Sequence, residues 1–155
     1  MRRELLRSNR RADGVIVRAA QPSDVEPAQR LLEACGLPLG GFPEDLEAII
    51  VATSERELIG VAGLEVHGAY GLLRSVAVAP EVRGQGLADA LCRKVEDRAA
   101  ALGLQLFLLT ETAERFFKHR GYEVVDRRHA PDEISSSREF SDLCPTSAVL
   151  MKLQR

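Results

Sequence analysis

Arg83-Gly84-Gln85-Gly86-Leu87-Ala88 is the stretch richest in chemistry. An apolar, β-branched run through Val76, Ala77 and Val78 stops at Pro80, and a glycine turn follows. A strand that feeds a helix through small residues leaves backbone N–H groups free at the helix start. Such a terminus holds phosphate without a basic side chain. Gly84 and Gly86 let the backbone approach a ligand where a Cβ would stand in the way. Arg83 can meet a phosphate directly. The chemistry is that of a phosphorylated cofactor; an ordinary strand-to-helix turn is the alternative. Three cofactor patterns compete. A dinucleotide fingerprint lacks its third glycine here, since Asp89 holds that place. A P-loop would need Gly-Lys-Ser/Thr, which is absent. Arg/Gln-x-x-Gly-x-Gly/Ala is met at every defined position.

Two charged residues interrupt apolar runs. Glu65 is the one carboxylate within residues 59–66, with Val61 and Gly63 on its face by alternation. It reads as a general base or as an outward-facing strand residue. Arg74 breaks the run 72–79. Arginine recognises a carboxylate or similar oxyanion through a planar fork, so Arg74 reads as an acceptor clamp, with a solvent-facing strand position as the alternative. Ser75 points to the opposite face. Arg138 and Ser147 are further candidates, for the substrate rim. The three cysteines, Cys35, Cys92 and Cys144, form no Cys-x-x-Cys pair. Their odd count gives no closed disulfide framework, which fits a reducing cytoplasm. The three histidines lack metal-ligand spacing, so no metal site is expected.

The elements that must carry these residues follow from periodicity and punctuation. Residues 15–18 read as a first strand. Ser23 and Glu26 have capping-box spacing, and Pro27 predicts a helix start a few residues later. Gly36 and Pro38 stop that helix. Residues 43–47 read as one helical turn. Strands at 48–53 and 58–66 make a hairpin, and 72–79 adds a third strand to the meander. Residues 84–102 have helical period, with Leu87, Leu91, Val95 and Ala99 on one stripe. A buried strand at 104–109, a helix at 111–119 and a strand at 122–125 follow. Residues 126–144 are polar and irregular, with a turn of helix after Pro131. A last strand spans 147–153. An antiparallel meander, then βαβ, then an antiparallel finish is an α/β (α+β) pattern.

At 155 residues the chain is long enough for one real core, assigned to 15–155. Residues 1–14 carry an arginine cluster and read as a disordered basic tail. They lack the apolar segment of a secretory signal. A formal net charge of −2 offers no nucleic-acid footprint. No apolar run reaches membrane-spanning length.

Placed on these elements, Arg83 to Ala88 resembles the coenzyme A loop of the GNAT N-acetyltransferase superfamily. Thr110-x-x-Ala113-x-x-Phe116-Phe117-Lys118-His119-Arg120-Gly121-Tyr122 is similar to that family's second signature, Asn-x-x-Ala-x-x-x-Tyr-x-x-x-Gly-Phe. The resemblance runs from residue 15 to residue 153. It implies a mixed, mostly antiparallel central sheet of six to seven strands flanked by helices, with a splayed parallel pair at the cofactor cleft. It implies acetyl-CoA as co-substrate and no metal. Val76, Ala77 and Val78 would offer backbone to the pantetheine arm, and the N–H groups of Gly84, Gln85, Gly86, Leu87 and Ala88 would hold the pyrophosphate. Thr110, Phe116 and Phe117 would line the cofactor. The Val76 N–H would steady the oxyanion. The chain departs from the family at Phe117, which cannot donate a proton as the usual tyrosine does, and at Thr110, which replaces asparagine.

Residues 72–78 and 143–149 further resemble the arsenic-resistance-associated branch, itself similar to bacterial amino-acid N-acetyltransferases. That implies a small amino-acid-like amine acceptor, with an arsenical or phosphinic analogue and detoxification as its narrower form. Cysteine usage, net charge and the lack of a long apolar run together fit a cytoplasmic protein with no nucleic-acid or membrane partner, and a homodimer is compatible with the sequence. Two other functions stay open. One is a catalytically weak acyl-CoA-binding sensor, which Phe117 favours. The other is a protein or peptide N-acetyltransferase, against which Arg74 argues.

Overall fold

A computed structural model describes residues 14–143 and 146–154. The basic tail therefore lies outside the described residues but for Gly14, and so does Cys144. Seven strands form one sheet in the order β1-β2-β3-β4-β5-β7-β6. They are β1 (Val15–Ala19), β2 (Leu46–Ser54), β3 (Glu57–His67), β4 (Tyr70–Val78), β5 (Gln105–Thr110), β6 (Tyr122–Val125) and β7 (Val149–Leu153). Only β4 and β5 run parallel. The expected mixed, mostly antiparallel sheet with one parallel pair is the sheet observed.

The helices are α1 (Val25–Ala34), α2 (Leu87–Ala101), α3 (Glu114–His119) and α4 (Asp132–Ser135). Alternation sends one face of the sheet to α2 and α3. There Leu91, Cys92, Val95 and Ala99 pack on Ala52, Ala62, Leu64, Leu73 and Leu106. Gly60 lets α2 settle closely, because a Cβ there would stand 2.8 Å from Leu91. On the other face, Ala28 and Leu32 of α1 cover Val51, Val61 and Ala77. Further along that face, Ile134 of α4 is fully buried against Leu72, Phe107 and Leu150. Each such aliphatic side chain contributes about 1.5–3 kcal/mol by leaving water.

Local chemistry moved several expected boundaries. The cap that starts the first helical segment is Gln21 with Asp24, not Ser23 with Glu26. Asp24 accepts from the Gln21 N–H at 2.6 Å, and it holds Arg18 by a two-armed hydrogen bond at 2.7 and 3.1 Å. α1 begins at Val25 rather than after Pro27, because the N–H that proline lacks falls in the first turn, where it has no helical acceptor anyway. Glu55 and Arg56 both have positive φ, 51° and 69°, and close β2 to β3 as a two-residue turn. The stretch 43–45 is a turn, and β2 begins at Leu46. The loop 126–143 is more ordered than its polarity suggested. It holds a 3₁₀ turn (Arg127–His129), α4 and a π-helical turn (Glu139–Leu143). Among the described residues, no helix is long and apolar enough to cross a membrane.

Candidate active site

A cleft of about 920 Å³ opens where β4 and β5 part. Their pairing ends at Leu73↔Leu108, although β4 continues to Val78 and β5 to Thr110. From Arg74 onward β4 has no strand partner on that side. The cause lies on its other side. Val61 pairs Ala77 and Gly63 pairs Arg74, so Ser75 and Val76 together oppose Ala62. That is a β-bulge, and a bulge bends its strand. Ser75 carries the distortion with φ of 60°, a left-handed value rare for a serine.

The glycine turn closes one end of the cleft. Gly84 and Gly86 have φ of 81° and 79°. Gly86 is the N-cap of α2 and offers no side chain to its first N–H groups. Those donors have no acceptor within the helix. A Cβ on either glycine would meet nothing within 4 Å, so space for a ligand is open there. Arg83 is tethered rather than free: its Nε donates to the Val78 carbonyl at 3.0 Å, and its Nη2 lies 3.4 Å from Cys35 Sγ. It ties the turn to the end of β4 and to the residue after α1. The expected cofactor contacts Val76, Ala77, Val78, Arg83 and Ala88 all line this one cleft. Gln85 and Leu87 lie in the turn and at the helix start.

The opposite wall comes from β5 and α3. Thr110 lines it, and its Oγ1 accepts from the Ala113 N–H at 3.0 Å, capping the approach to α3. Phe116 and Phe117 also line it, edge to face with centroids 4.9 Å apart. Phe117 is buried and packs in turn on Tyr122 at 5.4 Å.

The other end of the cleft is made of charge. Arg74 is buried and donates from Nη1 to Glu65 Oε2 at 2.8 Å and from Nη2 to the Gly40 carbonyl at 2.9 Å. Its Nε finds no hydrogen-bond partner, nor does the buried Ser75 Oγ. Both residues line the cleft. Glu65 does not line it. Its side chain is 2 % exposed and also bonds His67 Nε2. Burial of both side chains overturns the solvated-face alternatives, and Arg74 rather than Glu65 reaches the cleft. Arg138 is exposed and is not itself a lining residue, though it adjoins Glu139, which is, while Ser147 donates to Glu111 Oε1 at 3.1 Å on the rim.

Sequence reasoning missed Glu139. It stands in the π-helical turn, lines the cleft, and places Oε1 3.6 Å from Arg74 Nη2. Nothing in a polar, irregular stretch marks one acid among several. Ile134 is the usable signal, as an isolated large aliphatic residue that anchors this loop.

A second buried cluster braces the far side of α2. Arg120 donates from Nε and Nη2 to the two oxygens of Glu96, at 3.1 and 2.6 Å, and from Nη1 to Asp89. Tyr122 adds its hydroxyl to Glu96 at 2.9 Å. Burial, then the Glu96 charge, push the Tyr122 hydroxyl well above its usual range, so it stays a donor. Burial lowers the Arg120 guanidinium, but its bonds to Glu96 and Asp89 outweigh that and raise it. Burial likewise pushes the Cys92 thiol up to about 12, which leaves it inert. Among the described residues, no group of three metal-ligating side chains comes together.

A sheet splayed at one parallel pair, with a glycine turn starting a helix at its mouth, is the architecture of an acyltransferase that works on a coenzyme A thioester. The chain belongs to the GNAT acetyltransferase family, whose acetyltransferase (GNAT) domain matches residues 45–124. It is 36% identical over 135 residues to the amino-acid acetyltransferase of Pseudomonas syringae pv. tomato, covering 81% of this chain and 31% of that one. It is 34% identical over 99 residues to the amino-acid acetyltransferase of Pseudomonas aeruginosa, covering 62% of this chain and 23% of the other. The chain thus spans about a third or less of the curated relatives it matches. Among solved structures, N-acetylglutamate synthase from Neisseria gonorrhoeae, complexed with coenzyme A and N-acetyl-glutamate, superposes with a TM-score of 0.76 at 21% identity, over 91% of this chain and 35% of that one. Rv2747 from Mycobacterium tuberculosis, in complex with CoA and NLQ, gives 0.76 at 25% identity over 90% and 99%. Acetyl-CoA as co-substrate fits the cleft, with an open strand edge for its arm and open helix N–H groups for its phosphates.

Proposed function

We propose that this domain transfers acetyl from acetyl-CoA to the amine of a small amino-acid-like acceptor. The observation that carries the reading is the run of β4 from Arg74 to Val78 that lacks a partner on its β5 side, which leads from a charged pocket to the glycine turn within one cleft. The N–H groups at the start of α2 hold the pyrophosphate, aided by the positive end of the helix. Residues 76–78 pair with the pantetheine arm as an added strand would. The amine attacks the thioester carbonyl, and the Val76 N–H steadies the oxyanion that forms. The thiolate departs without a side-chain acid, since Phe117 has no proton to give. Free thiols titrate near 8.5, so a thiolate is a fair leaving group.

Arg74 reads the acceptor. Glu65 and the Gly40 carbonyl fix the guanidinium, and its unpartnered Nε–H is left for an acceptor oxygen. A carboxylate fits, as does the oxyanion of a phosphinic or arsenical amino-acid analogue. Ser75 Oγ is the neighbouring donor, and Ser147 and Arg138 belong to the outer rim.

The test follows free thiol released from acetyl-CoA with a panel of amino acids and such analogues. Acceleration by at least one acceptor is expected. Tight acetyl-CoA binding with no acceleration by any of them would favour a binding module instead, the reading that Phe117 supports. Arg74→Ala should raise KM for the acceptor and leave the Kd for acetyl-CoA in place.

A further inference from the structure

Glu65 divides its two oxygens between two partners. Oε2 accepts from Arg74 Nη1 at 2.8 Å, and Oε1 is bonded to His67 Nε2. The three residues share one face of the sheet. Glu65 and His67 do so by alternation along β3, and Arg74 because it pairs Gly63 on that face. The Glu65 side chain is 2 % exposed and that of Arg74 1 %, so water serves neither. His67, at 25 %, is the outermost of the three. An ionised carboxylate only accepts, so the His67 nitrogen that faces it carries the hydrogen. That donation needs no charge on the ring.

An acid beside an arginine can take one nitrogen or two, and this molecule holds both cases. Glu96 meets Arg120 with both oxygens and occupies Nε and Nη2. Its third donor, Tyr122, joins the oxygen that already accepts from Arg120 Nε, so both arms stay on the arginine. A two-armed grip is the stronger geometry. Glu65 instead takes a single nitrogen of Arg74, and His67 holds the other oxygen away from the guanidinium. Arg74 thereby keeps Nη2 for the Gly40 carbonyl at 2.9 Å, with Glu139 Oε1 at 3.6 Å from the same nitrogen. It also keeps Nε, a buried donor that meets no acceptor among the described residues, on a side chain that lines the cleft. Loss of the His67 donor would leave Oε1 unmet where water does not reach. The donors beside it are those of Arg74, so the carboxylate would grip the guanidinium with both arms, as Glu96 does. That takes a second nitrogen out of service and turns the fork from the cleft.

Resting on the proposed acetyl transfer, we propose that His67 is a positioning residue for the acceptor. It holds Glu65 to a one-nitrogen contact with Arg74 and so keeps the Arg74 fork open to the acceptor's oxyanion. His67 does not itself line the cleft, so it acts through Glu65 and Arg74 alone.

The test uses the full chain. Thiol release from acetyl-CoA, with each protein amino acid offered singly, picks the acceptor on which three variants are compared. His67→Ala and His67→Phe remove the donor, the second while keeping an aromatic ring in its place. Either should raise the acceptor KM about tenfold, the size of one hydrogen bond to a charged group. Their kcat, Kd for acetyl-CoA and thermal midpoint should stay near the parent's, because the carboxylate finds its second bond within the pair. His67→Gln, whose amide N–H can reach the same oxygen, should keep the parental KM. If the alanine variant misfolds, His67→Phe carries the test. An unchanged KM in the donor-free variants overturns the role of His67 and leaves acetyl transfer standing. So does a KM that rises as much in H67Q as in H67A, or a loss of KM, kcat and midpoint together, which marks structural damage. Absence of thiol release by the parent with every amino acid, despite acetyl-CoA binding, overturns acetyl transfer and the role of His67 with it.

Discussion

Arg74 and Arg120 are both packed against a buried glutamate, yet their donors end differently. Arg120 grips Glu96 with two nitrogens and reaches Asp89 with the third, and Tyr122 completes the acid. Arg74 gives one nitrogen to Glu65 and one to a carbonyl, and its third finds no acceptor. Leaving a buried donor unmet costs about 1–3 kcal/mol. The saturated cluster joins α2 to the turn before β6, and none of its members lines the cleft between β4 and β5. The unsaturated one faces the space a substrate would fill. A buried ion pair is thus weak as a sign of function, and its unfinished valence is the stronger sign.

The largest effect expected from this contrast is structural. Arg120→Ala strands Glu96 as a buried charge and should destabilise the fold by about 3–5 kcal/mol in denaturant titration. A loss below about 1 kcal/mol would erase the distinction between the clusters. Tyr122→Phe removes one hydrogen bond to the same charge, and the same titration should register about 1.5–3 kcal/mol. Arg74→Lys keeps the charge but loses the planar fork. The acceptor KM should rise about tenfold in steady-state kinetics while the unfolding midpoint moves little. An equal fall in stability and activity would make Arg74 a second Arg120.

The smallest effect belongs to the partly buried pair Arg18–Asp24. Hydrogen bonds from Arg18, and then from the Gln21 N–H, hold the Asp24 carboxyl below its usual range. Because the folded value is the lower one, this stability is present above the ordinary aspartate value near 3.9 and is lost as pH falls through the folded value. Asp24→Asn should flatten that acid slope in thermal scans, with stability below the parent's near neutrality and the gap closing as pH falls.

The cofactor end was legible because its parts are contiguous. Strand, glycine turn and helix follow one another from Val76 to Leu91, and each step has a local cause. The boundary errors at Gln21, Val25 and Leu46 have local causes too, in which one side chain outbid another for a few N–H groups. The acceptor end was legible only in part. Arg74 and Glu65 stood out as charges in apolar strands, but their pairing depends on a bulge that alternation cannot foresee. Val61, Gly63 and Glu65 share one face of β3, as alternation predicts, but the extra residue lies opposite them in β4, between Arg74 and Ala77. Glu139 reaches the cleft from 65 positions beyond Arg74 through a loop fixed by Ile134. That contact is tertiary and leaves no periodic trace.

The bulge at Ser75 has an evolutionary corollary. Shortening β4 by this one residue would bring Ala77 and Arg74 into continuous register with Val61 and Gly63. The sheet would heal, losing a left-handed serine and regaining its ladder. A selection for thermal robustness alone would favour such a deletion, and a selection for turnover would reject it. The extra residue is a defect kept on purpose, and the gap it holds open between two strands is where the chemistry has room.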